Sequence, residues 1–122
     1  MRGKDAENEA CELLRSQGLK IVARNWRWQG GEIDIIGKDG DTLVFVEVRA
    51  RTSSEFGSPA ETITPAKRAK LWRSAQAFLS GKPPVPVRFD VVAVSPNGLV
   101  HIPDAFREED VRPGVERNPV RD

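Results

Sequence analysis

Asp34 and Glu47 lie in neighbouring β-rich runs, Gly31-Glu32-Ile33-Asp34-Ile35-Ile36 and Phe45-Val46-Glu47-Val48-Arg49-Ala50-Arg51. Side chains alternate along a strand, so parity decides which residues share a face. Glu32, Asp34 and Ile36 share one face of the first run; Leu43, Phe45, Glu47, Arg49 and Arg51 share one face of the second. Ile33 and Ile35, and Val44, Val46, Val48 and Ala50, form the reverse, aliphatic faces, which must match. Both carboxylates therefore fall on one surface. With Asp39-Gly40 as a two-residue turn, Ile35 pairs with Val44 and Asp34 lies diagonal to Glu47, roughly 7 to 8 Å away between backbone positions. A slip toward a four-residue loop sets the two directly opposite. Such carboxylates repel unless a cation or a proton intervenes. Two arrangements satisfy them: an ion-pair ladder with Arg49 and Arg51, or a Mg²⁺ or Mn²⁺ site completed by water or phosphate oxygens. Glu7, on the helical stripe of Ala10, Cys11 and Leu14, is either a partner for a core arginine or a third site carboxylate.

Other chemistries are excluded by composition. The 122 residues hold one cysteine, Cys11, and one histidine, His101, too few for a disulfide or a Cys/His zinc site. Any bound metal must be held by oxygen. No apolar run approaches the ~20 residues that span a bilayer, and the Met1-Arg2-Gly3-Lys4 start has no signal-peptide core, so a cytoplasmic protein without membrane contact is expected. The net charge of +1 conceals an uneven distribution. From Pro65 to Arg88 there are six basic residues and no acidic one. Such a run is either a solvated helix face or a phosphate-facing patch.

The elements that must position these residues follow from periodicity and punctuation. Lys4 to Ser16 reads as a helix ended by Gly18. Leu19 to Asn25 reads as a strand, with Ile21 and Ala23 on one side, and Trp26 to Gly31 as a turn. Glu32 to Ile36 and Leu43 to Arg51 form an antiparallel pair, and Thr52 to Thr64 a surface loop. Thr64 caps, and Pro65 opens, a second helix to about Ser80, with Leu71, Trp72, Ala75, Phe78 and Leu79 on its apolar arc and Lys67, Lys70 and Arg73 off it. Val87 to Val94 is a fourth strand and Leu99 to Ile102 a short fifth one at a sheet edge. The resulting order is α-β-β-β-α-β-β, a mixed α/β domain over 1–106, followed by a charged, Pro- and Gly-containing, disordered tail over 107–122. Trp26 and Trp28, flanked by Arg24 and Arg27, either stack on bases or pack in the core.

Several segments together resemble a known family: Gly3-Lys4-Asp5-Ala6-Glu7-Asn8-Glu9-Ala10, Ala23-Arg24-Asn25-Trp26-Arg27, Gly31 to Ile36, Phe45 to Arg51, Phe56-Gly57-Ser58-Pro59 and Arg88-Phe89-Asp90-Val91-Val92. They are similar to the YraN family, a small branch of the restriction-endonuclease-like superfamily related in fold to archaeal Holliday junction resolvases. The resemblance covers about residues 3 to 106. It implies a restriction-endonuclease-like fold with a mixed central sheet flanked by helices. It also implies a Mg²⁺- or Mn²⁺-dependent endonuclease acting on DNA, branched or structured DNA included, or else a non-catalytic nucleic-acid binder that keeps the fold. Asp34 and Glu47 correspond to the metal-binding carboxylates, the Val48 carbonyl to a further ligand, and Glu7 to the first-helix glutamate of the resolvase branch. Arg49 stands where the superfamily pattern has lysine; an arginine still donates to phosphate but does not give up its proton. The resemblance thus implies Glu7, Asp34, Glu47 and Arg49 as catalytic residues. Arg51, Lys67, Lys70 and Arg73 are the expected grip on the nucleic-acid backbone, and the resolvase likeness implies a homodimer.

Overall fold

The computed structural model describes residues 3–50, 63–107 and 111. It contains α1 (Gly3–Ser16), β1 (Lys20–Trp28), β2 (Gly31–Asp39), β3 (Thr42–Ala50), α2 (Pro65–Leu79), β4 (Val87–Ser95) and β5 (Gly98–Phe106). The element order is the expected one. The expected loop over 52–64 lies outside the described residues except for Ile63 and Thr64, as does the expected tail except for Arg107 and Val111.

The five strands form one sheet in the order β1-β2-β3-β4-β5. Only β3 and β4 are parallel; α2 makes the crossover between them. One helix covers each face. Ala6, Ala10, Cys11 and Leu14 of α1 pack on Ile35, Val44, Val46, Val92 and Val94. Leu71 and Ala75 of α2 pack on Ile33, Ile36, Phe45, Phe89 and Phe106, with Trp72, Phe78 and Leu79 beside them. This is a mixed α/β architecture of the restriction-endonuclease-like kind. Thr64 accepts the Lys67 N–H at 3.2 Å and so fixes the start of α2. Cys11 is buried in the α1 layer and burial pushes its thiol up, which disfavours the thiolate a nucleophile requires.

Three local readings of the sequence are corrected. The β2–β3 turn is Gly40-Asp41 rather than Asp39-Gly40: Asp39 pairs with Thr42, and Gly40 alone of the two turn residues has positive φ. A glycine at the first central position is what a type II′ turn demands. Ile35 consequently faces Val46, not Val44. On β1, a bulge between Ile21 and Ala23 puts Ile21 against the α1 layer and Ala23 against the α2 layer, so they do not share a side. The third correction lies where β1 and β2 first emerge from their hairpin. Trp26 pairs with Ile33 and Arg24 with Ile35, but the intervening Asn25 adopts φ 52 and the pairing skips it and Asp34. Asparagine tolerates this left-handed conformation better than most residues. Beyond it the alternation is reversed, and Ile33 packs with α2 instead of sharing the α1 side with Ile35.

β1 also runs longer than expected, to Trp28, because the hairpin closes in the short Gln29-Gly30 connection. β5 runs to Phe106 through Pro103. An edge strand tolerates a proline, and here a bulge accommodates it: Val91 pairs with Ile102 and Phe89 with Phe106. Opposite Asp90 the bulged backbone turns at Asp104, φ 55, whose N–H donates to Asp90 Oδ1 at 2.9 Å.

Candidate metal and nucleic-acid site

The β2–β3 ladder stops at Ile35 and Val46. Beyond it β2 pairs only with β1, down to Gly31, and β3 only with β4, up to Ala50. The two strands fork, and Asp34 and Glu47 are the first residues past the fork, opposite each other if the register is continued. Asp34 takes over part of the pairing that ends there: its Oδ2 accepts the Val48 N–H at 2.8 Å. The N–H and C=O of one residue point to the same side of a strand, so the Val48 carbonyl also faces the fork. Asp34 and Glu47 are thus neighbours at the fork, with the Val48 carbonyl, which the family resemblance implies as a further ligand, on the fork side of β3.

A cavity of ≈ 490 Å³ opens from the fork. Asp34 and Glu47 line it together with Arg27, Trp28, Gln29, Gly31 and Glu32 of the β1–β2 hairpin and Lys67, Lys70 and Leu71 of α2. The hairpin reaches α2 because two glycines allow it. A Cβ on Gly30 would lie 2.4 Å from the Trp28 ring, and one on Gly31 3.1 Å from Lys70 Cε. Trp28 Nε1 donates to the buried Ser74 Oγ at 2.8 Å, which fixes the ring on the helix. Trp26 packs edge-on against Phe78, centroids 5.3 Å apart, so its role is packing.

The electrostatics are those of a crowded acidic site. Burial pushes Asp34 up to about 6, Glu7 and Glu32 adding to the rise and the Val48 hydrogen bond opposing it. Burial, then the neighbouring Asp34 charge, pushes Glu47 up to about 7, against the pull of Lys67 and Arg49. Both carboxyls thus gain from any cation that replaces the water they have given up. The chemistry of the set, two carboxylates and a carbonyl, fits a hard divalent ion such as Mg²⁺ or Mn²⁺. Among the described residues no three His, Cys, Asp or Glu side chains converge on a common point.

Glu7 does not line the cavity. It sits 3.8 Å from Arg24 Nη2, which also donates to Asn8 Oδ1 at 2.8 Å, so it has the arginine partner that its place on the stripe allowed. Arg49 Nη1 lies 3.8 Å from Glu47 Oε2, and its Nε is buried without a hydrogen-bond partner. Arg73 is exposed on α2 away from the cavity lining, and Arg51 lies outside the described residues.

Two features were not apparent in the sequence. One is the hairpin wall, whose signal was the Trp28-Gln29-Gly30-Gly31 run. The other is a buried charge cluster on β4 and β5, centred on Asp90, which pairs with Val46 of β3. The fully buried Asp90 accepts Arg88 Nε and Nη2, both at 2.9 Å, and meets His101 Nε2 at 2.8 Å. Burial alone would raise Asp90, but the hydrogen bonds from His101, Arg88 and the Asp104 N–H together hold it below the ordinary carboxylate range. Its sequence signal was a lone Asp in an otherwise aliphatic strand, two residues after Arg88.

Residues 6–94 match the family model described as "Uncharacterised protein family UPF0102", a span that includes every described site residue. A UPF0102 protein of Dechloromonas aromatica is 46% identical over 109 residues, covering 89% of this chain and 91% of that protein. One from Symbiobacterium thermophilum is 47% identical over 96 residues, covering 77% and 81% respectively. One from Pseudomonas entomophila is 46% identical over 99 residues, covering 79% and 80%. Among the described residues no helix is long and apolar enough to cross a membrane. With the motifs, the sheet order and these matches in agreement, the chain belongs to family UPF0102, which is the YraN family that its sequence motifs resemble.

Proposed function

We propose that the protein is a divalent-metal-dependent endonuclease that hydrolyses phosphodiester bonds in DNA, with branched DNA as the substrate class. The observation that carries this reading is the pair of half-buried carboxylates at the fork of β2 and β3, in a cavity whose opposite wall carries Lys67 and Lys70. Asp34, Glu47 and the Val48 carbonyl would hold Mg²⁺ or Mn²⁺. Such an ion, when bound, polarises a phosphate oxygen and lowers the pKa of a water.

The chain's own residues do the rest. The Val48 N–H fixes one Asp34 oxygen and leaves the other free to ligate. Burial keeps both carboxyls short of water, so they are poised to exchange protons for a cation near neutral pH. Lys67, Lys70 and Arg73, with Arg51, hold the phosphate backbone, a contact that depends on salt and not on sequence. Trp28 and the hairpin exclude water from one side of the cavity.

Calorimetric titration with Mn²⁺ and cleavage of a four-way DNA junction test the reading. Asp34→Asn and Glu47→Gln each weaken Mn²⁺ binding at least tenfold, preserve the fold and abolish cleavage. Unchanged Mn²⁺ affinity in both variants eliminates the site. DNA binding by the wild type with no cleavage under Mg²⁺ or Mn²⁺ leaves a nucleic-acid binder that has kept the fold.

A further inference from the structure

A phosphate entering the cavity needs a positive group to meet the charge that grows on its oxygens as water attacks. By its sequence position Arg49 is the candidate, but the structure gives it a carboxylate partner. Its guanidinium pairs with Glu47, its Nε is shut away from solvent, and it does not line the cavity. Two other cations do line it: Lys67 and Lys70, three residues apart on one face of α2. Lys70 packs its stem against Gly31, where even a methyl group would come within 3.1 Å of its Cε. Of the two, Lys67 is the one whose charge reaches Glu47. It is exposed in the first turn of α2, its backbone N–H is held by Thr64, and among the described residues its ammonium makes no hydrogen bond or ion pair. It is close enough to Glu47 to draw that carboxyl's proton affinity down.

We infer that Lys67, not Arg49, is the cationic catalytic residue, its ammonium donating to a non-bridging oxygen of the scissile phosphate from across the cavity while Arg49 serves as the counter-ion of Glu47. This assignment rests on the phosphodiesterase reading above. In the hydrolysis a water oxygen forms a bond to phosphorus and the bond from phosphorus to the leaving sugar oxygen breaks. One water proton passes through solvent to that leaving oxygen, and the other stays on the new phosphomonoester. Lys67 transfers no proton; its N–H groups shorten onto the oxygens that gain charge. The assignment explains how a chain with arginine two positions after Glu47 retains a mobile ammonium at the site. The lysine has come from the helix that faces the fork.

Single-turnover cleavage of a four-way DNA junction at saturating protein and Mg²⁺ provides the test, with Mn²⁺ and junction affinities measured in parallel. Lys67→Gln lowers the saturated rate on the order of 10²-fold while Mn²⁺ still binds and the thermal midpoint stays at its wild-type value. Lys67→Arg recovers part of that rate, and Arg49→Lys changes the rate less than tenfold. In EDTA, bound junction shields the Lys67 amine from acetylation by an N-hydroxysuccinimide ester, whereas Lys82, past the C-terminal end of α2, stays reactive. A wild-type saturated rate in Lys67→Gln, an unshielded Lys67, or a 10²-fold fall confined to Arg49→Ala overturns the assignment while leaving the nuclease reading in place. A wild type that neither binds Mn²⁺ nor cleaves overturns both.

Discussion

At the scale of single residues, the site is defined by what burial does to two ordinary carboxyls. Asp34 and Glu47 are raised to about 6 and about 7, chiefly because the folded chain strips them of water. In the unfolded chain both titrate near 4. Below that pH both states hold the protons and the groups contribute no difference. Between about 4 and about 7 the folded state binds more protons than the unfolded one, so stability falls as pH rises, by up to about 1.4 kcal/mol per pH unit for each group. Urea unfolding of the metal-free protein from pH 4 to pH 8 should show this decline, and Glu47→Gln should flatten it. Saturating Mn²⁺ should reverse its direction, because the ion binds the ionised pair. A metal-free protein whose stability rises through the same interval would mean that the carboxyls are already neutralised within the fold. That Asp34 and Glu47 would come close was legible in the sequence, and both line one cavity. The assignment of Glu7 was not settled there, because the stripe that places it also serves Arg24, and only the fold brings that arginine within 3.8 Å.

At the scale of elements, periodicity and punctuation predicted the helices and strands among the described residues but lost the faces where the backbone departs from a regular pleat. Ile21 and Ala23 are separated by a bulge, and Ile33 is swung to the α2 side past the left-handed Asn25. Period-two reasoning assumes that each residue advances the strand by one step, and a bulge or a positive φ breaks that assumption without leaving a hydrophobic signature. Asn25 was visible as a residue type that tolerates such a conformation, but nothing local required it there. The end of the chain shows the same limit. β5 was foreseen as a short strand over Leu99 to Ile102, yet it continues through Pro103 to Phe106, and Asp90 reaches across to hold the bulge there. Asp90 accepts from Arg88 at 2.9 Å twice, faces His101 at 2.8 Å and takes the Asp104 N–H at 2.9 Å. Arg88 is in turn held by Asp39 at 3.0 Å. Removing the carboxylate leaves a largely covered guanidinium with Asp39 as its one remaining carboxylate among the described residues, and takes the acceptor from the Asp104 N–H. Asp90→Ala should therefore cost about 3 to 5 kcal/mol. Hydrogen exchange should place the weakening first in β5, with amides of residues 99–106 opening before those of β2 and β3. Uniform opening across the sheet would show that the cluster stabilises the whole domain and not this edge.

At the scale of the whole molecule, the net charge of +1 is a cancellation between separated regions. Asp34, Glu47 and Glu32 line the cavity on the sheet side, and Lys67 and Lys70 on the helix side. A DNA backbone approaching α2 is attracted by the lysines and repelled by the carboxylates across the same cavity, charges acting over ~10 Å at 0.1 M salt. Affinity for DNA should then depend on whether a cation neutralises the fork. At constant ionic strength, replacing EDTA by Ca²⁺, a hard oxygen-seeking ion, should tighten binding of a four-way junction by the wild type. The double variant Asp34→Asn, Glu47→Gln should bind more tightly than the wild type in EDTA and respond little to Ca²⁺, since the repulsion is already gone. Replacing Lys67, Lys70 and Arg73 by Gln should act on the other half of the balance, weakening binding and reducing the log-log salt slope by about one for each phosphate that is no longer neutralised. The two sets of variants oppose each other because they remove opposite charges from one cavity. If Ca²⁺ tightens binding equally in the wild type and the carboxylate double variant, the ion is acting on the DNA alone and the fork does not meet the phosphate backbone.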